Sequence, residues 1–309
     1  MAGLGLRHKA PIAVIKLARG ALANTPAQRL PLVGWAYRKT VRAVWGGRER
    51  TVDFRGLRLT PPADDHVFTA GLIGGFYESI ELDLFERLAA ASRDVIDVGA
   101  NIGIYACVGA AHLPPGGRLT AFEPVPANLA LLQRNLAQNG RSDRVTVEPC
   151  AVGEAPGATM IHLASGSGNH SLAAAVTGGG RGALPVRVTS LSDHLGAGSP
   201  VDLLKVDVEG YDGYVLRGAA RPLHEYRPTL LVEFVPRHLR NAGFPPGELL
   251  DIVFAGYRHV FAIDEPRGRL WRCTRDQLAR HAGRRVNLNL VAAANPAHVE
   301  VIEDYRRSA

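Results

Sequence analysis

The sequence predicts an α/β protein: a mostly parallel sheet with helices on both faces. The first observation is that short apolar runs alternate with helical patterns between residues 94 and 150. The second is that two apolar runs, 94–98 and 201–206, lead through acidic residues into glycine turns. A buried strand, a tight turn and a helix start, in that order, are typical of parallel sheets with right-handed crossovers.

The elements follow from the apolar periodicity and from the Gly and Pro residues between them. Residues 51–60 alternate as a strand or hairpin does, and 81–88 is helical. The expected strands of the main domain are 94–98, 118–123, 144–150, 159–163, 184–188, 201–206, 229–235, 258–263 and 286–293. The expected helices are 102–113, 127–138, 211–220, 246–254 and 276–281. We expect antiparallel strands at one edge to complete the sheet.

Charge divides the chain unevenly. Residues 1–50 hold ten Lys and Arg residues and a single acid, Glu49, so the overall charge of +7 belongs to this arm. We therefore divide the chain into a basic N-terminal extension, 1–70, and a main domain, 71–309, with an inserted loop at 164–183. No run in the arm reaches the roughly 18–20 apolar residues that span a bilayer. The arm suits either a helical extension that packs on the main domain or a helix in peripheral contact with an anionic membrane surface.

Three cysteines without a metal or redox spacing, and no clear secretory signal, favour a reducing compartment. We expect a cytoplasmic protein, with peripheral contact on the inner face of the membrane as an open addition. Two of the cysteines, Cys107 and Cys150, fall in predicted core elements.

The first glycine turn predicts the kind of ligand. Gly99 and Gly103 leave backbone open for close approach, and the helix that follows offers unpaired N–H groups. Dinucleotide loops read G-x-G-x-x-G, whereas here Asp97 precedes a Gly-x-Asn-x-Gly turn. A carboxylate at this point disfavours a pyrophosphate and favours a cation such as S-adenosylmethionine. Glu123 ends the next strand, where one carboxylate can accept hydrogen bonds from two ribose hydroxyls.

The second glycine turn predicts the reacting groups. Strand 201–206 delivers Asp207 and Glu209 to its carboxyl end, and strand 229–235 adds Glu233. These acids should face the same crevice as Asp97. The Gly- and Ser-rich loop at 164–182 is long enough to be functional. We interpret it as a lid with His170 and Ser171 as its fixed point.

These two stretches resemble the FkbM family of S-adenosylmethionine-dependent methyltransferases over roughly residues 75–240. The matching segments are 96–103, 121–124, 135–140, 203–210, 215–219, 227–228 and Glu233. The resemblance implies the class I methyltransferase fold, a Rossmann-like and mostly parallel sheet of seven strands. It also implies transfer of a methyl group from S-adenosyl-L-methionine to a hydroxyl of a sugar, a glycan or glycolipid, or a secondary metabolite.

The resemblance also implies roles for single residues. Gly99, Asn101 and Gly103 would hold the methionine end of the donor, and Glu123 the ribose. The backbone at Cys150 and Ala151 would flank the adenine. Asp207 and Glu209 would lie nearest the transferred methyl group. With Asp97 and Asp207 from the charge argument, the expected cofactor-binding set is Asp97, Gly99, Asn101, Gly103, Glu123, Cys150, Ala151 and Asp207.

An alcohol acceptor needs a base to take its proton as it attacks. The candidates are Asp207 and Glu209 first, then His170 from the lid and Glu233. A divalent metal could bind at Asp207, Glu209 or Glu233, but no closed ligand spacing is present, so none is expected.

Two alternatives remain at this stage. The chain could keep the nucleotide fold as a non-catalytic interaction protein, or it could methylate another acceptor such as nucleic acid. The basic arm suits nucleic acid, but the acidic crevice repels phosphate. The expected partner is a small-molecule or glycan hydroxyl, with no nucleic acid. A homodimer is left open.

Overall fold

The structure, a computed structural model, describes residues 49–63, 65–75, 77–163, 182–196, 198–281 and 287–308, together with Trp35 and Lys39. The chain divides into two compact units, Met1–Ser79 and Ile80–Ala309. The membrane contact predicted for residues 1–50 falls almost entirely outside the described residues. So do the predicted lid and its His170 and Ser171. The division of the chain at residue 70 stays a prediction.

The described part of the first unit is a hairpin followed by a helix. Strands β1 (Val52–Phe54) and β2 (Leu57–Leu59) pair antiparallel, as the alternation in 51–60 predicts. Helix α1 (His66–Gly74) begins where the Asp65 side chain accepts a hydrogen bond from the Phe68 N–H. It ends at Gly75, whose left-handed backbone stops the helix.

The strands of the second unit fall into two sheets. They are β3 (Asp94–Val98), β4 (Arg118–Phe122), β5 (Val145–Glu148), β6 (Ala151–Val152), β7 (Gly157–Leu163), β8 (Gly182–Thr189), β9 (Leu203–Val206), β10 (Thr229–Phe234), β11 (His259–Asp264), β12 (Arg269–Arg272) and β13 (Leu288–Ala293). The main sheet has the order β12-β11-β13-β10-β9-β3-β4-β5, and β6, β8 and β7 form a second sheet of three strands.

The predicted fold class is confirmed, with a correction to the main sheet. It has eight strands rather than seven, because β12 folds back antiparallel on β11 at the edge. From β5 to β10 neighbouring strands are parallel, whereas β13 lies antiparallel between β10 and β11. The carboxyl ends of β3, β4, β9 and β10 therefore lie along one edge of the sheet.

Helices cover the sheet and connect its strands. They are α2 (Ser79–Ala90), α3 (Ile104–His112), α4 (Pro126–Gln138), α5 (Leu191–His194), α6 (Asp212–Gly218), α7 (Ala220–Glu225), α8 (Pro236–Asn241), α9 (Pro246–Gly256), α10 (Arg275–Ala279) and α11 (Pro296–Ser308). The helix predicted at 211–220 is two helices, α6 and α7, which meet at Ala219. Four helices, α1, α5, α8 and α11, were not predicted.

The core explains why the strand predictions agree with the structure. Strand β9 is buried along its whole length, and Phe122 and Phe234 are inaccessible at the ends of β4 and β10. Apolar strands covered on both faces are typical of parallel sheets. Among the described residues, no helix combines the length and the apolar character needed to cross a bilayer.

Candidate active site

A cleft opens at the carboxyl ends of β3, β4 and β9. It measures about 540 Å³ including the space open to solvent. Its lining comes from Val98, Gly99, Asn101, Phe122, Glu123, Pro124, Asn128, Cys150, Ala151, Val152, Ile161, Asp207, Val208 and Glu209. This is the edge where open α/β sheets bind ligands. Three carboxylates, from Glu123, Asp207 and Glu209, make its lining acidic.

The two glycines of the first turn are required by packing within the protein. Gly99 has φ +82°, and a Cβ there would lie 2.0 Å from the backbone oxygen of Asp207. Gly103 has φ +85°, and its Cβ would lie 3.0 Å from Cγ of Leu132. The sequence alone predicts a ligand in this space. The structure corrects that reason, because the close approach is that of other segments of the chain; only Gly99 of the two lines the cleft.

Asn101 connects the first turn to the acid on the next strand. Its backbone is left-handed (φ +52°), and its N–H donates to Oε2 of Glu123 at 2.9 Å. Its own Oδ1 is buried and has no hydrogen-bond partner. Because an unsatisfied buried oxygen is unfavourable, this atom is suited to accept a hydrogen bond from a bound ligand.

Glu123 is fixed by three donors. Besides the Asn101 N–H, its carboxylate accepts from the N–H of Val125 at 2.8 Å and from Nδ2 of Asn128 at 3.4 Å. Burial raises the pKa of Glu123 to about 7, against the lowering effect of these hydrogen bonds. The side chain is thus pre-positioned at the cleft wall.

Asp97 lies beneath the cleft rather than in its lining. It is fully buried on β3, and neither carboxylate oxygen has a hydrogen-bond partner. The nearest counter-charge is Lys205 on β9, with Nζ 3.8 Å from Oδ1. Burial raises the pKa of Asp97 to about 6, although the Lys205 charge opposes the shift. The expectation that Asp97 faces the ligand directly is not supported by this position.

The buried Asp97 leads to a prediction for stability. Its pKa of about 6 in the folded protein lies above the ordinary aspartate value of 3.8, so the folded protein binds this proton more tightly than the unfolded chain does. We expect this group to lower the free energy of unfolding as pH rises from about 4 to 6, by up to about 3 kcal/mol. Asp97→Asn should therefore flatten the pH dependence measured by urea denaturation. Asp304→Asn, at an exposed position of α11, is the control for replacing an aspartate by asparagine. If stability depended on pH as steeply in Asp97→Asn as in the wild type, the raised pKa of Asp97 would be contradicted.

Cys150 and Ala151 line the cleft beyond the end of β5, and the adenine contact expected of them stays a prediction. Ala151 begins β6, which pairs in parallel with β8. Ile161 of β7 also lines the cleft. The small sheet therefore forms one wall of it. Burial raises the pKa of the Cys150 thiol, so this cysteine lies there as a neutral, compact group.

The second glycine turn is built by Asp212. Its buried carboxylate accepts hydrogen bonds from the N–H groups of Val208 at 3.1 Å and Gly210 at 3.0 Å. Glu209, between them, has a left-handed backbone with φ +52°. Because Asp212 stabilises the turn, the Glu209 side chain is available to the cleft.

His238 was not predicted, and it lies between two of the predicted acids. Its Nδ1 is 3.2 Å from Oε2 of Glu209 and 3.8 Å from Oε2 of Glu233. The contacts are ion pairs rather than well-aligned hydrogen bonds. Burial raises the pKa of Glu209 to about 7 and of Glu233 to about 8, and the two acids raise the pKa of His238 to about 10. The sequence does place a histidine five residues after Glu233. It was overlooked because α8 has only six residues, too few to show a helical period.

Metal-ligand geometry within the described part of the chain is found at Glu209, Glu233 and His238. These side chains each offer one ligand atom, and the atoms lie within 4.8 Å of one another. Of the three acids considered as metal ligands from the sequence, Glu209 and Glu233 belong to this group and Asp207 does not.

The structure thus brings together most of the predicted residues. Those that line the cleft are Gly99, Asn101, Glu123, Cys150, Ala151, Asp207 and Glu209. Asp97, Gly103 and Glu233 lie behind this lining, and His170 is outside the described residues.

Fold and cleft together define an α/β protein of the doubly wound class, with an acidic ligand site at the carboxyl edge of its sheet. The chain belongs to the FkbM methyltransferase family. The family model, described as the methyltransferase FkbM domain, matches residues 97–259, which is more than half of the chain. The resemblance drawn from the two glycine turns is confirmed.

A curated relative is the methyltransferase sdnD of Sordaria araneosa. It is 29% identical over 169 residues, which cover 45% of this chain and 65% of that protein. The match therefore spans slightly less than two thirds of the relative's length.

Solved structures with a similar fold include an FkbM methyltransferase from Methylobacillus flagellatus KT. It is 18% identical, with a TM-score of 0.42, and the match covers 72% of this chain and 54% of that one. Another is the O-methyltransferase TomG from Streptomyces achromogenes, which is 15% identical with a TM-score of 0.41. That match covers 70% of this chain and 81% of TomG.

Proposed function

We propose that this protein transfers a methyl group from S-adenosyl-L-methionine to a hydroxyl group of a small molecule or glycan. The observation that carries the proposal is the acidic cleft. Glu123 lies on one wall, and Asp207 and Glu209 lie on the other. A cleft lined by carboxylates attracts a ligand that carries a sulfonium and an ammonium group. Membership of the FkbM methyltransferase family supports the same reaction class.

The cleft offers polar groups that fit the donor. The Asn101 Oδ1 is a buried acceptor without a partner, suited to the donor's ammonium group. Glu123 is already oriented by two backbone N–H groups, and it can accept hydrogen bonds from ribose hydroxyls. Cys150 and Ala151 offer an apolar wall for the adenine. Asp207 would face the positively charged end.

The role of Glu123 is tested by donor binding. Glu123→Gln removes the negative charge. It also replaces one carboxylate oxygen by an amide N–H₂, which cannot accept a hydrogen bond from the backbone N–H groups of Asn101 and Val125. Because charge-assisted hydrogen bonds contribute about 2 kcal/mol, we expect the Kd for S-adenosylmethionine to rise about 30-fold in calorimetry. Glu225→Gln, a solvent-exposed exchange outside the cleft lining, is the matched control. Unchanged affinity in Glu123→Gln would contradict the ribose assignment. No donor binding by the wild-type protein would contradict the proposed function.

The reaction requires in-line geometry and removal of one proton. The donor would carry its methyl group on a positively charged sulfur. When the C–S bond breaks, the sulfur keeps the electron pair of that bond. Glu209 takes the hydroxyl proton as the acceptor oxygen attacks the methyl carbon. Its pKa near 7 makes it a better base than an ordinary carboxylate and leaves it largely ionised at slightly alkaline pH. Asp207 and Glu209 were the first candidates for this base, and we assign the proton to Glu209.

His238 bears on the question of a metal. Its raised pKa keeps the imidazole protonated near neutral pH, so it supplies the positive charge that Glu209 and Glu233 require. We therefore expect methyl transfer to proceed at an unchanged rate after dialysis against EDTA into metal-free buffer. A loss of activity that Mg²⁺ or Zn²⁺ restores would instead assign a divalent ion to Glu209, Glu233 and His238.

The acceptor proposed is a hydroxyl of a sugar, glycolipid or secondary metabolite. Incubation of the protein with labelled S-adenosylmethionine and separate fractions of glycans, lipids, small metabolites and nucleic acid tests this directly. Label in nucleic acid would favour the alternative acceptor, and donor binding without transfer to any fraction would favour a non-catalytic interaction protein. A cytoplasmic location, a homodimer and peripheral membrane contact through residues 1–50 stay predictions.

A further inference from the structure

Lys205 occupies an unusual position for a lysine. It lies in the middle of the main sheet on β9, between β3 and β10, and is only 2% exposed. Moving an ammonium group out of water is unfavourable by several kcal/mol unless partners compensate for it. The side chain therefore needs nearby negative charge.

Two aspartates and an aromatic ring surround its ammonium group. Nζ is 3.3 Å from Oδ2 of Asp207 and 3.8 Å from Oδ1 of Asp97. The centre of the Tyr105 ring lies 4.3 Å from Nζ, close enough for a cation–π contact. Lys205 stands opposite Asp97 in the β3–β9 register, so the sheet itself fixes this pair.

The two aspartates differ in what they can reach. Asp97 is fully buried and lies behind the cleft lining. Asp207 belongs to the cleft lining, and its side chain is 33% exposed. Among the described residues, Lys205 is the side chain that pairs with the Asp207 carboxylate. Lys205 thus connects Asp97, in the interior of the sheet, with Asp207, at the wall of the cleft.

We infer that Lys205 is a positioning residue: anchored by Asp97 and Tyr105, it fixes the Asp207 carboxylate at the cleft wall for the cationic end of the methyl donor. The inference rests on the proposed function for the identity of that ligand. The orientation of Asp207 by Lys205 is a property of the protein alone. The two parts can therefore be tested separately.

The first test needs no ligand. Lys205→Met retains a side chain of similar length and removes the charge. Because it leaves the buried Asp97 without its counter-charge, the variant Lys205→Met with Asp97→Asn keeps the test available if the single variant does not fold. In a crystal structure without donor, we expect the Asp207 carboxylate to turn away from residue 205. An Asp207 side chain in its wild-type conformation would overturn the inference.

The second test is a thermodynamic cycle on donor binding. We expect the Kd for S-adenosylmethionine to rise about tenfold in Lys205→Met and by a similar factor in Asp207→Asn. The combined variant should show about the same tenfold loss, because both substitutions remove one interaction with the donor. If the loss of affinity in the combined variant were instead the product of the two single losses, about 100-fold, Lys205 and Asp207 would act independently. That result would overturn the inference.

A destabilised control completes the design. Leu290→Ala opens a cavity in β13, which neither lines the cleft nor contacts β9 in the sheet. Donor binding should remain at the wild-type level in this variant below its melting temperature. A matching loss of affinity there would show that lowered stability alone explains the effect of Lys205→Met. If the wild-type protein binds no S-adenosylmethionine, the proposed function fails, and the ligand-free structure still decides the role of Lys205.

Discussion

Glu209→Gln should reduce the rate of methyl transfer by about 10² to 10⁴ when the donor is saturating. The variant keeps the shape of the side chain but cannot take the acceptor's proton. In the wild type, the rate should rise as pH increases through about 7, where the Glu209 carboxylate ionises, and then level off. Single-turnover measurements with labelled donor separate this chemical step from binding and product release.

The matched control for this experiment is Glu154→Gln. Glu154 is a surface acid that pairs with Arg217, and it does not belong to the cleft lining. A full rate in Glu209→Gln would contradict its role as the base. Asp207→Asn would then be the next variant to measure, followed by Glu233→Gln and His170→Gln.

Gly99→Ala should prevent correct folding of the cleft. A Cβ at this position would lie 2.0 Å from the backbone oxygen of Asp207, and neither backbone segment can move without breaking the pairing of β3 with β9. We expect a loss of more than about 4 kcal/mol in the free energy of unfolding, or no soluble protein at all. Chemical denaturation followed by circular dichroism measures this loss.

The control separates the collision from backbone strain. Gly140 also has a positive φ, +61°, but a Cβ there would meet nothing within 4 Å. Gly140→Ala should therefore show only the cost of the left-handed backbone, about 1 kcal/mol. If the two variants were equally stable, the contact between Gly99 and Asp207 would not be a determinant of the fold.

These two glycines show what the sequence can and cannot predict. A glycine between a strand and a helix announces a turn, and Gly99 was correctly placed in one. The reason for the glycine lies at Asp207, more than one hundred residues further along the chain. Pairing between distant strands is not contained in a local pattern. From the sequence alone, the space next to Gly99 is therefore expected to hold a ligand rather than the Asp207 backbone.

Asp97 and His238 were misjudged or missed for related reasons. Apolar periodicity locates β3 and its strand-end acid, but it does not reveal that Lys205 lies opposite Asp97 in the sheet. His238 lies on a helix of six residues, too short for a 3.6-residue period to stand out. By contrast, Glu123, Asp207 and Glu209 directly follow strongly apolar strands, and their positions at the cleft could be predicted.

The hydrogen bonds of Glu123 have a consequence for how such a protein can diverge. Its carboxylate joins the loop after β3, through the Asn101 N–H, to the loop after β4, through the Val125 N–H. A substitution at Glu123 that altered donor preference would also remove the hydrogen bonds that hold these two loops together. Strands β7 and β8 pair in the separate three-stranded sheet, so substitutions at their exposed positions would leave the pairing of the eight-stranded sheet and the Glu123 contacts in place.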